Sequence, residues 1–272
     1  MNMFNNITRK AILIGCPGNG TGFLAGVKTD LIRMSEFLQS NKGGAWNRNE
    51  IIPLENPTAA EAINAIGAAI ADYVFVYFSG HGYTAVGNTR MIALRDRSIN
   101  DVCFLNDSPR QLVVVDACRN YAAPRLGGIP AFEDDVDHFE ALSTYELFSE
   151  RIATSPEGKL IIHATQHGQY SYDSSNGGHF TQALLHISTR MKAKVTHTPC
   201  SIQCVLSHVP GLLQANGNSQ IPCVTYSEGH LTVPFAFSSN PSLRSRRNYS
   251  QELTGAILVT LALVCVIVAA SN

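Results

Sequence analysis

The sequence predicts a three-layer α/β fold, with a mostly parallel central sheet and helices on both faces, followed by one C-terminal transmembrane helix. Three observations carry this expectation. Hydrophobic residues make up 45% of the 272-residue chain and charged residues only 15%, which excludes a disordered polymer. Short continuous apolar runs of strand length alternate with segments of helical period, as in a parallel sheet crossed by helices. Leu253 to Ala270 is an apolar run without a charge, about 27 Å long as a helix and near the lower limit for a bilayer span.

Along the chain, Arg9 to Gly15 reads as a buried strand that enters a glycine-rich turn from Gly15 to Gly22. The apolar stretch behind Arg9-Lys10 is too short for a signal-peptide core. Val27, Leu31, Met34 and Leu38 recur at helical spacing, and Ala59, Ile63, Ile66 and Ile70 do so after a helix start at Asn56-Pro57. Tyr73 to Phe78 is continuously apolar, as a strand buried on both faces should be. Gln111 to Val115 and Lys159 to His163 repeat that pattern. Phe180 to Thr189 and Ser201 to Leu213 read as helices, and Leu231 to Phe237 as a late strand. Arg119 to Gly158 is longer than an ordinary crossover and carries acidic residues between Glu133 and Glu140. Residues 1–237 therefore form one domain, 238–252 a polar and basic linker, and 253–270 the transmembrane helix.

With 20 Lys and Arg against 21 Asp and Glu, the chain lacks the basic excess of a phosphate-neutralising nucleic-acid binder. Arg244, Arg246 and Arg247 precede the C-terminal run and no basic residue follows it, so the positive-inside rule places the body in the cytoplasm. Seven cysteines, an odd number without a secretory signal, read as reduced thiols.

Two strands end in reactive residues. Tyr73–Phe78 runs into Ser79-Gly80-His81-Gly82, and Gln111–Val115 into Asp116-Ala117-Cys118-Arg119. Open parallel sheets place their sites at the carboxyl ends of strands. If these two are neighbours, an imidazole and a thiol meet at one rim, the components of a Cys–His dyad for acyl transfer. Cys118 then attacks a peptide carbonyl and His81 protonates the leaving amine. The backbone N–H groups of Gly82 and Cys118 are the oxyanion donors. Residues i and i+2 on a strand share a face, so Asp116 projects beside Cys118 and offers a charge-assisted bond to a guanidinium.

These motifs, in this order, resemble the caspase-like cysteine peptidases, and most closely their metacaspase and orthocaspase branch. The likeness runs from about Arg9 to Phe237 and includes the helix with Asp30, Tyr77-Phe78-Ser79-Gly80-His81-Gly82, Val115-Asp116-Ala117-Cys118 and Gly178-His179-Phe180-Thr181-Gln182-Ala183-Leu184. It implies a caspase–haemoglobinase fold and endopeptidase activity through His81 and Cys118. True caspases cut after aspartate and carry glutamine two positions before the nucleophile. Here that position is Asp116. Metacaspases carry an acid there and a second aspartate matching Asp30, and cut after Arg or Lys. Asp173 falls where true caspases place a pocket arginine. The resulting substrate-binding set is Asp30, Ser79, Asp116 and Asp173, with peptides bearing Arg or Lys before the scissile bond as partners and the lipid bilayer as anchor.

The same preference makes Arg125, Arg244, Arg246 and Arg247 candidate self-cleavage sites. No metal or other cofactor is expected, since the spacing of His197, Cys200, Cys204 and His208 matches no standard zinc site. The alternative is a membrane-tethered nucleotide-binding or signalling module without peptidase activity. It rests on Gly20-x-Gly22-x-x-Ala25 before a helix, a loose dinucleotide fingerprint, while Thr21-Gly22 stands where a Walker loop needs Lys-Ser/Thr.

Overall fold

A computed structural model describes residues 7–117, 141–191 and 198–238. The chain enters as β1 (Arg9–Cys16), then forms α1 (Val27–Gln39), β2 (Ile51–Glu55), α2 (Ala59–Ala68) and β3 (Tyr73–Gly80). An antiparallel unit follows, of β4 (Gly82–Ala85), β5 (Thr89–Ala93) and β6 (Ser98–Asn100), before β7 (Arg110–Ala117). Then come α3 (Ala141–Thr154), β8 (Gly158–His163), the hairpin of β9 (Asp173–Ser174) and β10 (Gly177–Gly178), and α4 (His179–Arg190). The described chain ends with β11 (Thr198–Ser201), α5 (Ile202–Leu206), α6 (Val209–Ala215), β12 (Cys223–Gly229) and β13 (Pro234–Ser238).

The central sheet has the order β12-β8-β7-β3-β1-β2, and all its neighbours are parallel except the edge strand β12. Side chains alternate across a strand, and here both faces are covered. Leu13, Phe75, Tyr77, Leu112 and Val114 pack with Leu31, Met34, Phe148, Phe180 and Leu184 from α1, α3 and α4. Ile12, Ile14, Val74, Val76, Val113 and Val115 pack with Ala59, Ala62 and Ile66 of α2. Burial on both sides explains why β3 and β7 are continuous apolar runs in the sequence, and it fixes their carboxyl ends rigidly.

Several local expectations change. The cap of α2 is Thr58: its Oγ1 accepts from the Glu61 N–H at 3.2 Å, while the Glu61 carboxylate accepts the Thr58 N–H at 2.7 Å. The buried stripe of α2 runs through Ala59, Ala62 and Ile66, leaving Ile63 and Ile70 exposed. Ser201 to Leu213 is two helices, parted at Ser207-His208 with Pro210 opening the second. The late strand is Pro234–Ser238 and pairs with β11 in a separate sheet. The long segment between β7 and β8 contains α3. No described helix is long and apolar enough to cross a membrane. The expected linker from residue 239 onward, the run 253–270, the acidic residues 133–140 and Arg125, Arg244, Arg246 and Arg247 lie outside the described residues.

Candidate active site

The carboxyl ends of β3 and β7 lie side by side. Their register pairs Ser79 with Asp116 and Gly80 with Ala117, so the residues immediately before His81 and Cys118 are opposite each other. Cys118 itself lies outside the described residues. His81 leads directly into Gly82, the first residue of β4, and its carbonyl accepts from the Ala93 N–H at 2.9 Å. The imidazole Nε2 meets the Gly22 carbonyl oxygen at 2.6 Å. A carbonyl only accepts, so Nε2 carries the proton and Nδ1 is the nitrogen left to exchange one with a nucleophile.

The glycine-rich turn is therefore the wall that orients His81. Gly18, at φ +74°, comes so close that a β-carbon there would stand 2.7 Å from His81 Cδ2. At this point the turn presents a carbonyl to the ring, where a phosphate cradle would need N–H groups. Cys16 ends β1 beside Gly80 and is the described cysteine nearest in register, but burial pushes its thiol up to about 12. It stays protonated at neutral pH, unsuited to a nucleophile.

At the ends of β3 and β7 lies a small cleft of about 30 Å³ whose lining includes Ser79, Gly80, Asp116, Ser171, Tyr172 and Asp173. Leu24 and Val27 complete it with apolar surface. Asp116, at the end of β7, is 5% exposed. Its Oδ1 accepts from Ser171 Oγ at 2.7 Å, and its Oδ2 from the Thr181 N–H at 3.0 Å and Oγ1 at 2.7 Å. Since the Thr181 hydroxyl donates to Asp116, the buried Tyr77 hydroxyl donates to Thr181 Oγ1, at 2.6 Å. Asp30, from α1, has no exposed surface. It accepts Ser79 Oγ at 2.7 Å and the Gly178 N–H at 3.0 and 3.1 Å to its two oxygens.

Asp30 and Asp116 thus answer the amino end of α4, where Gly178 is the N-cap and Thr181 the third helical residue. Asp116 has this structural duty as well as a place in the cleft lining, whereas Asp30, expected to bind substrate, is fully buried and does not line the cleft. Asp173, on β9, takes the Gly26 N–H at 3.2 Å. Its hairpin is clamped to α1 by Thr29 Oγ1 donating to the Ser175 carbonyl at 3.2 Å and Arg33 Nη1 to the Asn176 carbonyl at 2.6 Å.

Three acids share one buried region, and burial raises the proton affinity of each. Burial pushes Asp30 well above the usual carboxylate range, with the Asp116 charge adding to it. Burial likewise raises Asp116 against the hydrogen bonds from Ser171 and Thr181. Asp173 is pushed up to about 6, first by burial and then by the Asp116 charge, against the Gly26 hydrogen bond and the His81 ring. Burial and repulsion favour the protonated form of these acids, and a positively charged group beside them would favour the ionised form.

The fold places Asp30, Ser79, His81, Gly82, Asp116 and Asp173 around one sheet rim. Ser171, Thr181, Gly178 and Gly22 join them and were not singled out as functional from the sequence. The Gly177-Gly178 doublet before α4 and the glycine-rich turn before α1 are the sequence features that could have pointed to them, as places of close backbone approach.

A caspase-domain family model matches residues 8–233. The chain belongs to the caspase-domain family. Among solved structures, this caspase-domain protein is similar to caspase-1 from Spodoptera frugiperda, with a TM-score of 0.52 and 17% identity over 81% of this chain and 88% of that one. It is also similar to a Geobacter sulfurreducens protein, with a TM-score of 0.52 and 17% identity over 86% and 94% of the two chains. These likenesses show a shared fold. No curated protein matches the chain in sequence. The family supports a cysteine-type peptidase as the general class and implies protein substrates.

Proposed function

We propose that this caspase-domain protein is a cysteine endopeptidase of metacaspase type that cleaves after Arg or Lys, with Cys118 as nucleophile and His81 as general acid and base. The observation that carries the reading is the pairing of Gly80 with Ala117 directly in front of an acidic cleft. On this reading, His81 and Cys118, the next residues in sequence after that pair, work together at one rim. The Cys118 thiolate attacks the scissile carbonyl, and the oxyanion is held by the Gly82 and Cys118 N–H groups. His81, with Nε2–H on the Gly22 carbonyl, takes the Cys118 thiol proton at Nδ1, gives it to the departing amine, draws another from the water that hydrolyses the thioester and returns that one to the sulfur as the acid product leaves. Leu24 and Val27 flank the methylenes of the P1 side chain while Asp116 and Asp173 face its cationic head.

Steady-state assays of the full chain on reporter peptides test this. Arginyl and lysyl peptides should be cleaved, arginyl ones faster, and Cys118→Ala and His81→Ala should each lower the rate at least about 1000-fold. Faster cleavage of aspartyl peptides, or full activity in Cys118→Ala, overturns the proposal.

The pocket also sets a pH dependence. With its proton affinity raised, Asp173 is neutral well below pH 6 and charged well above it. Binding of a cation therefore strengthens as pH rises through about 6. Asp116, His81 and the N–H groups of Gly26 and Ser174 are the groups that act on it. Agmatine binding to Cys118→Ala, followed by calorimetry from pH 5 to 8, should tighten across that window, and Asp173→Asn should flatten the change. Stability runs the other way. An acid that binds its proton more tightly when folded makes the fold less stable as pH rises from about 4 through 6. Asp173→Asn should accordingly raise the thermal midpoint at pH 7.5.

The apolar run 253–270 is proposed as a single-pass anchor, with the peptidase domain cytoplasmic on the side of Arg244, Arg246 and Arg247. Full-length protein should stay in the membrane pellet after carbonate washing, and a chain released to the supernatant would refute the anchor.

A further inference from the structure

Asn218 and Gln220, on the loop between α6 and β12, are only 3% and 2% exposed. Buried primary amides need partners for both oxygen and N–H groups, and these two amides find theirs in the direction of Asp116. Gln220 Nε2 donates to Ser171 Oγ at 3.0 Å, and Ser171 Oγ donates to Asp116 Oδ1 at 2.7 Å. Asn218 Nδ2 donates to Gln220 Oε1 at 3.2 Å, while the Gln220 backbone N–H donates to Asn218 Oδ1 at 2.8 Å. The Gln220 amide is thereby held in one orientation, its oxygen toward Asn218 and its NH₂ toward Ser171. The loop is stitched to the Ser171 segment a second time, as Gln169 Oε1 accepts the Ile221 N–H at 3.2 Å. The three side-chain bonds from Asn218 to Gln220, Ser171 and Asp116 all donate toward the carboxylate.

We infer that Gln220 is a positioning residue for substrate recognition, acting through Ser171 to aim Asp116 into the cleft, with Asn218 fixing the orientation of the Gln220 amide. The inference rests on the reading of the cleft as the pocket for an arginyl or lysyl side chain. Without the Gln220 donor, the Ser171 hydroxyl rotates more freely and Asp116 loses a defined hydrogen bond. The carboxylate then meets the substrate cation less often in the productive geometry, in ground state and transition state alike. Such a loss raises KM and leaves kcat largely unchanged.

The test is steady-state kinetics of the full chain on an arginyl reporter, for wild type, Gln220→Met, Ser171→Ala and the double variant. Each single variant should raise KM about tenfold with kcat within about threefold. Because Gln220 reaches Asp116 through Ser171, the double variant should match Ser171→Ala within about twofold. A fall in kcat with KM unchanged, the signature of a smaller folded fraction, overturns the inference, as do losses that multiply in the double variant. Should Gln220→Met fail to fold, Gln220→Glu carries the same comparison: it keeps the length and the acceptor for Asn218 and removes the donor to Ser171. A wild type that leaves the arginyl reporter intact overturns the pocket reading and this inference with it. A wild type that cleaves it while both Gln220 variants match wild type overturns this inference alone.

Discussion

Gly178→Ala is expected to lower kcat/KM on arginyl peptides at least about 100-fold, a loss of about 2.7 kcal/mol in transition-state stabilisation. Gly178 has an ordinary extended backbone, at φ −63° and ψ 137°, so conformational strain is not the cause. The cause is space. A β-carbon at this position would overlap Asp116 Oδ2, stand 2.9 Å from Asp116 Cγ and 3.3 Å from Asp30 Oδ2. Neither acid has room to yield. Asp116 is tied by Ser171 and Thr181 at the end of a strand buried on both faces, and Asp30 is tied by Ser79 and by Gly178 itself. The added methyl group must either drive Asp116 out of the cleft or lift the first turn of α4, which breaks the Thr181 bonds that hold Asp116. Gly67→Ala is the matched control. A β-carbon at Gly67 meets nothing within 4 Å, and alanine favours a helix by up to about 1 kcal/mol over glycine, so that variant should keep full activity. Arginyl cleavage by Gly178→Ala within threefold of wild type would refute the argument, and it is read alongside circular dichroism to show that the chain is folded.

The features that the sequence makes legible are those that local pattern determines. β3 and β7 stand out because burial on both faces demands apolar residues at every position, and the change to Ser-Gly-His-Gly and Asp-Ala-Cys marks where the sheet ends. β2 and β12 carry no such mark. β2 lies at an edge with alternating exposure and contains Pro53, and β12 exposes half or more of its residues. The acids were legible as residue types at suggestive positions. Their setting was not, because it depends on partners far apart in the chain: Ser79 with Asp30 across 49 residues, Ser171 with Asp116 across 55, and Thr181 with Asp116 across 65. The same distance hid the double duty of Asp116, which answers the N-terminus of α4 as well as lining the cleft, and the full burial of Asp30. Glycines were misleading in one place. The turn from Gly15 to Gly22 looks like a phosphate loop in composition, yet at Gly18 it is His81 that leaves no room for a side chain.

Arg9→Met is expected to cost about 3–5 kcal/mol of folding stability. In the sequence Arg9 is half of a basic pair that opens the first strand. In the structure it is 1% exposed. Its guanidinium carbon sits 4.0 Å from the centroid of the Tyr145 ring and 4.6 Å from that of Trp46. Nη2 pairs with Glu50 Oε2 at 3.1 Å, and Nη1 donates to the Gly44 carbonyl at 3.1 Å. Removing the cation leaves the Glu50 carboxylate buried with only the Tyr145 hydroxyl and the Asn47 N–H as described donors, and that stranded charge is the main source of the loss. Two comparisons isolate it. Arg9→Met with Glu50→Gln removes the charge while keeping an acceptor for the Asn47 N–H, and should recover at least half the loss. Arg9→Lys keeps the charge but has neither the planar face for the rings nor the fork for Glu50 and Gly44, so it should fall between wild type and Arg9→Met. Urea denaturation with an unchanged m-value measures all three. Arg9 lies at the amino end of β1, and the site at the carboxyl ends of the strands, so the folded fraction of each variant should retain the wild-type KM on arginyl peptides. A loss below 1 kcal/mol in Arg9→Met would refute the argument, and a double variant no more stable than the single one would show that the aromatic stack rather than the ion pair fixes this end of the sheet.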